Sequence, residues 1–178
     1  MSAVHKLGLS AAVFSALVIC NCVFAQTQST SMHSGPVMNY LRVDERLATG
    51  GHLVDGGLAT LKVEGVQVVI DLRDDPPSGQ KEMLAEHGID WINIPVVWKD
   101  PKTADFERFS ETMGEHKDDH VLVQCAANYR ASAMTYLYRV MVEKVPEDQA
   151  AEDLYAVWDP NENKQWRKYI DGIKASAR

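Results

Sequence analysis

Two side chains carry most of the chemistry that this sequence declares. Cys125 and Arg130 are separated by four residues in the segment Val121-Leu-Val-Gln-Cys-Ala-Ala-Asn-Tyr-Arg-Ala-Ser132. A cysteine attacks as its thiolate, and backbone N–H groups converging at the start of a helix stabilise that anion over the thiol. The same N–H groups favour a tetrahedral or otherwise compact oxyanion beside the sulfur. Arg130 adds a planar fork that holds two oxygens at once, a contact lysine cannot copy. Ala126 and Ala127 are small enough to let the backbone close on a ligand. Asn128 is the non-glycine residue that best tolerates the left-handed conformation of a tight cradle.

The loop is similar to the signature of the cysteine-dependent protein tyrosine and dual-specificity phosphatases. More narrowly, the chain resembles the bacterial phosphatase-like family that also occurs fused to β-lactamase-like hydrolases. The likeness runs through Tyr40-Leu-Arg, Leu47-Ala-Thr-Gly-Gly51, Val69-Ile-Asp-Leu-Arg73 and Ile94-Pro95 to the Cys125 loop and the helix after it. It implies Cys125 as the nucleophile that forms a phosphocysteine, and Arg130 as the phosphate clamp. Ala126, Ala127, Asn128, Tyr129 and Ser132 would line the phosphate, and an upstream aspartate would protonate the leaving group. The implied ligand is a phosphorylated or other small anionic substrate, with no metal or cofactor. Three differences stand out. The common signature has five residues between Cys and Arg where this loop has four, a length shared with rhodanese-type sulfurtransferases. Gln124 stands where a histidine is usual, and the hydroxyl expected after the arginine is displaced to Ser132. Besides a phosphatase, a sulfurtransferase carrying a persulfide on Cys125 and a non-catalytic anion-binding module therefore stay open.

Asp100, in Val97-Trp-Lys-Asp-Pro101 and 25 residues before Cys125, falls in the segment that resembles the family's acid loop. An Asp-Pro pair is also an ordinary turn former. Asp71 and Asp74 flank Arg73 at a strand end, where sites gather in parallel sheets, and are alternatives for the acid. Asp105 belongs instead to the first turn of the next helix, where a carboxylate complements the dipole. His116 and His120 have a metal-like spacing, but His120 belongs to a strand. Trp91, Trp98, Trp158 and Trp166 read as core or pocket wall.

Positioning this loop requires a strand that ends at Cys125 and a helix that starts just after it. His120–Cys125 is short, nearly all apolar and suited to burial on both faces. Residues 66–72, after Gly65, and 89–96, after Gly88, are two further strands. Helices fit residues 79–87, 104–116 with Thr103 as cap, 131–144, 147–157 and 162–175. The third of these stops at Val145-Pro146. This alternation predicts an α/β dual-specificity-phosphatase-like three-layer fold, a mostly parallel central sheet with helices on both faces.

The first 25 residues have Lys6, an apolar run and a small residue before Gln26, the pattern of a secretory signal peptide. Residues 26–39, rich in Ser, Thr and Gln, read as a disordered leader, and 40–178 as one domain. The expected location is periplasmic or secreted, without membrane association once the signal is removed. Cys20 and Cys22 would leave with the signal, and Cys125 would remain alone. The net charge of −7 and the lack of a basic run give no footprint for nucleic acid.

Overall fold

The computed structural model describes residues 36–176, so the expected signal segment 1–25 and most of the leader lie outside the described residues. The chain runs β1 (Leu41–Arg42), β2 (Leu47–Gly50), α1 (Gly57–Val63), β3 (Val68–Asp71), α2 (Gln80–Ala85), β4 (Asp90–Asn93) and α3 (Thr103–Glu115). There follow β5 (Val121–Gln124), α4 (Tyr129–Met141), α5 (Glu147–Val157), a single 3₁₀ turn and α6 (Lys164–Ser176). The sheet order is β1-β2-β5-β3-β4, parallel except for the β1–β2 pair.

Alternation along the strands divides the core in two. Val68, Ile70, Val121 and Val123 face the larger cluster with Phe109 of α3, Leu137 of α4, Leu154 of α5 and Ile170 of α6. Val69 and Leu122 face the smaller one with Leu61 of α1 and Leu84 of α2. Because β5 is buried on both faces, it needs no polar side, which explains its nearly unbroken apolar sequence. Gly65 and Gly88 follow α1 and α2 at φ 72° and 70°, where glycine ends a helix without steric cost.

Register matters most for function. Gly50, Gln124, Asp71 and Asn93 lie side by side as the last paired row of β2, β5, β3 and β4. The site therefore grows from the carboxyl edge of the sheet.

Several expectations are corrected. The leader does not extend to residue 39: Val37 is buried and bridges Leu53, and Met38 donates its N–H to the His52 carbonyl. A polar composition around this segment hid one anchoring valine. The strand expected over 89–96 is ordered as a ladder only over Asp90–Asn93, and Pro95 has no N–H with which to extend it. Thr103 opens α3 as its first residue and does not cap it. Helix α4 begins at Tyr129, two residues earlier than its apolar periodicity indicated. β1, β2 and α1 had no sequence signal strong enough to be named; β2 exists because β5 pairs with it. Among the described residues no helix is long and apolar enough to cross a membrane.

Candidate active site

β5 delivers Cys125 to the sheet edge, where it is buried and donates its N–H to the Gly50 carbonyl at 3.0 Å. The carbonyls of the next two residues turn outward. Ala126 O accepts from the His52 N–H at 3.0 Å and lies 2.9 Å from His52 Nδ1, while Ala127 O accepts from Asn39 Nδ2 at 3.1 Å. In a planar trans peptide the following N–H points the opposite way, so that of Ala127 faces the inside of the turn. Asn128 takes φ 69°, the left-handed conformation expected of it.

As the N-cap of α4, Asn128 makes no side-chain capping bond. Its Nδ2 donates instead to Asn39 O at 2.6 Å and Thr49 Oγ1 at 3.0 Å. The first-turn N–H groups of Tyr129, Arg130 and Ala131 have no acceptor within the helix, and so remain for an anion. Gly51 walls the loop so closely that a Cβ there would stand 2.7 Å from Ala126 O.

Arg130 is buried, and its Nη1 donates to Asp74 Oδ1 at 2.7 Å and to Val96 O at 2.6 Å. Among the described residues nothing accepts from Nε or Nη2 of Arg130, which leaves one edge of the guanidinium for a two-pronged contact. The hydrogen bond from Arg130 holds the Asp74 carboxyl below its ordinary value, so Asp74 is anionic at neutral pH. Of the two alternatives beside Arg73, only Asp74 reaches the loop. Asp71 is buried against Arg73.

Three expected residues make contacts of their own. Asp100 pairs with Lys102, is largely exposed, and borders a groove with Thr103, Lys164 and Tyr169. Among the described residues no hydrogen bond or ion pair joins it to Cys125 or Arg130, although Val96, which precedes its turn, is bonded to Arg130. Ser132 donates its hydroxyl back to Asn128 O at 2.7 Å and to Tyr129 O at 3.2 Å, so it braces the helix start. Tyr129 begins α4, and its ring stacks on Trp158 with centroids 5.1 Å apart. Asp105 accepts the Lys102 N–H in the first turn of α3, as expected. His116 meets Asp119 at 2.8 Å.

Sequence reasoning missed Asn39, Gly51 and His52, which hold the outer side of the loop from a remote segment. The Gly50-Gly51 pair beside a short apolar run was the available signal.

The chain is similar in sequence and fold to known proteins. A family described as a DSP-PTPase phosphatase fused to NAD+ kinase matches residues 20–169. The chain belongs to this bacterial dual-specificity and tyrosine phosphatase-like family. The fusion partner in that description is NAD+ kinase, where the sequence had suggested kin fused to β-lactamase-like hydrolases. A phosphatase-like protein (DUF442) from Shewanella putrefaciens CN-32 is 30% identical, with a TM-score of 0.71 over 80% of this chain and 92% of that one. Fold likeness reaches further. Pseudomonas aeruginosa TpbA, crystallised with pTyr, is 15% identical with a TM-score of 0.66, covering 85% of this chain and 98% of its own. PTPMT1, crystallised with PI(5)P, is 17% identical with a TM-score of 0.61, covering 78% and 99%. No curated protein matches the chain significantly. Family membership supports a phosphatase function.

Proposed function

We propose that the chain hydrolyses phosphomonoesters through a phosphocysteine on Cys125. The observation that carries this reading is the guanidinium of Arg130, held through Nη1 by Asp74 and Val96 with its other edge unspent beside the N–H groups of a cysteine loop. The Cys125 sulfur attacks phosphorus, the S–P bond forms as the P–O bond to the leaving group breaks, and the leaving oxygen takes up a proton. Water then attacks phosphorus as the S–P bond breaks, gives a proton to the carboxylate that had protonated the leaving oxygen, and releases orthophosphate and the thiolate. Inward N–H groups and Arg130 stabilise charge on the transferred group throughout, where phosphoryl transfer depends most on positioning.

Asp74, kept anionic by Arg130, suits orientation better than proton donation. In this reading Asp100 supplies the proton after exchanging Lys102 for the substrate. Asp100→Asn should then slow hydrolysis of alkyl phosphates about a hundredfold and leave p-nitrophenyl phosphate far less affected, since a good leaving group needs no acid. Equal loss on both substrates would reject the assignment.

The four-residue spacing keeps a second reading in view, sulfur transfer through a Cys125 persulfide. The deciding experiment measures phosphomonoester hydrolysis and thiosulfate-to-cyanide transfer on the same protein, with Cys125→Ser as blank. Hydrolysis without sulfur transfer is expected. Turnover of thiosulfate alone would overturn the phosphatase, and turnover of neither would leave an anion-binding module. The TpbA and PTPMT1 complexes suggest phosphotyrosine and a phosphoinositide headgroup as the first esters to test. We also infer export, with a mature N-terminus near Gln26, which mass spectrometry of exported protein would check.

A further inference from the structure

Behind the cradle lies a buried polar row that the steps above do not use. Asp71, Arg73, Gln80 and Gln124 are all buried. Arg73 donates to Asp71 from its backbone N–H at 3.0 Å, from Nε at 2.9 Å and from Nη2 at 2.5 Å. Its Nη2 also donates to Gln80 Oε1. Gln80 Nε2 donates to Gln124 Oε1 at 2.8 Å, and Gln124 Nε2 to the Gly51 carbonyl at 3.1 Å.

This chain of bonds has only one direction. A guanidinium carries donors and no acceptor, so the end of Gln80 that meets Arg73 must be its oxygen. Gln80 therefore turns its NH₂ to Gln124, which must answer with its own oxygen and turn its NH₂ to Gly51. Such amide orientations are ordinarily open to a flip; here the cation at the far end removes the choice. Asp71 neutralises that cation, so the row can stay buried.

The near end of the row touches the cradle. Gly50 O accepts the Cys125 N–H, His52 N–H holds Ala126 O, and Gly51 between them bridges Ala127. A Gly51 carbonyl turned inward would set the negative end of a dipole against a bound oxyanion. We propose that Arg73, Gln80 and Gln124 are positioning residues, a one-directional amide relay that holds the Gly51 carbonyl out of the cradle where related phosphatase loops carry a histidine. The inference rests on the reading of the Cys125–Arg130 loop as an oxyanion site.

The test uses the full chain and reads how well inorganic phosphate, or thiosulfate, protects Cys125 from alkylation. Gln80→Glu keeps the shape and the contact with Arg73. When ionised, its carboxylate has no donor for Gln124, so the relay loses its direction; when protonated, its O–H restores it. The charged groups facing position 80 are Asp71 and Arg73. At pH 8 the variant should need about tenfold more anion for half protection, roughly the worth of one lost hydrogen bond. That ratio to the native protein should narrow as pH falls, whereas mere loosening of the fold would give no such recovery. Gln124→Met removes both bonds with little change of volume, should show the deficit at every pH, and decides the matter alone if Gln80→Glu does not fold. Native-like protection in Gln124→Met, or in Gln80→Glu at pH 8, would overturn the relay. Native protein protected by thiosulfate but not phosphate would discard the phosphatase reading while the relay is still tested with thiosulfate. Protection by neither would remove the cradle and the relay with it.

Discussion

A single guanidinium nitrogen explains how Arg130 is both anchored and available. Nη1 is saturated by Asp74 and Val96, and the perpendicular freedom of a long side chain is thereby spent before any ligand arrives. Asp74→Ala releases that anchor and should lower kcat/KM about a hundredfold, the cost of a misplacement of roughly 1 Å. Asp74→Asn keeps an acceptor oxygen and should lose much less. Equal losses in the two variants would instead mark Asp74 as the proton donor. The pairing also links to acid stability. Because the Asp74 carboxyl lies below its ordinary 3.8 in the folded protein, its contribution is present above that value and disappears as pH falls through the folded one. Its partial exposure keeps that contribution small.

Among the elements, the start of α4 and the turn after Val96 determine the cradle's shape. Asn128 at φ 69° lets the chain pass from the loop into the helix within one residue. Asn128→Gly and Asn128→Ala both delete its bonds to Asn39 and Thr49, but only alanine forces a Cβ into the left-handed region. Denaturant unfolding should find the alanine variant less stable than the glycine one by about 1–2 kcal/mol. The turn carrying Asp100 is tied to α6, since buried Trp166 stacks on Trp98 at 5.1 Å and donates Nε1 to its carbonyl at 3.0 Å. Trp166→Phe keeps a ring and drops that bond. It should cost about 1 kcal/mol of stability, and it should slow alkyl phosphate hydrolysis more than p-nitrophenyl phosphate hydrolysis if the turn positions the acid.

For the whole molecule, an anion that binds the folded cradle alone must stabilise the entire domain. Phosphate at a hundred times its Kd should add about 2.7 kcal/mol and raise Tm by several degrees. Cys125→Ser should keep most of this rise, because it leaves the N–H groups and Arg130 in place. Arg130→Lys should lose most of it while conserving charge, since an ammonium offers no fork. A rise that survives in Arg130→Lys would place phosphate outside the loop. The acidic chain gives no long-range attraction for such ligands, so affinity has to come from this local geometry.

The central βα unit could be read from sequence because its determinants are local. Val121–Gln124 is apolar enough to require burial on both faces, the Ala-Ala-Asn sequence allows a tight left-handed turn, and apolar residues at helical spacing follow. The parallel sheet followed from strands and helices that alternate. Which side chains meet was a different question, decided by contacts between segments far apart in the chain. Asp74 and Arg130 are 56 residues apart, Gln124 and Gly51 73, and Asn128 and Asn39 89. Asp100 had a suggestive place in the sequence, but its ion pair is the local one to Lys102, on a turn that Trp166 of α6 anchors through the Trp98 carbonyl. Ser132 had the right side chain for an oxyanion, but on the first turn of a helix its nearest acceptors are the carbonyls three and four residues back. Sequence determined the loop and the elements around it through short-range sterics and periodicity. Tertiary structure alone chose the carboxylate bonded to Arg130, the segment that walls the loop and the buried bonds joining Arg73, Gln80 and Gln124, because hydrogen bonds select partners by proximity in space and leave no periodic trace along the chain.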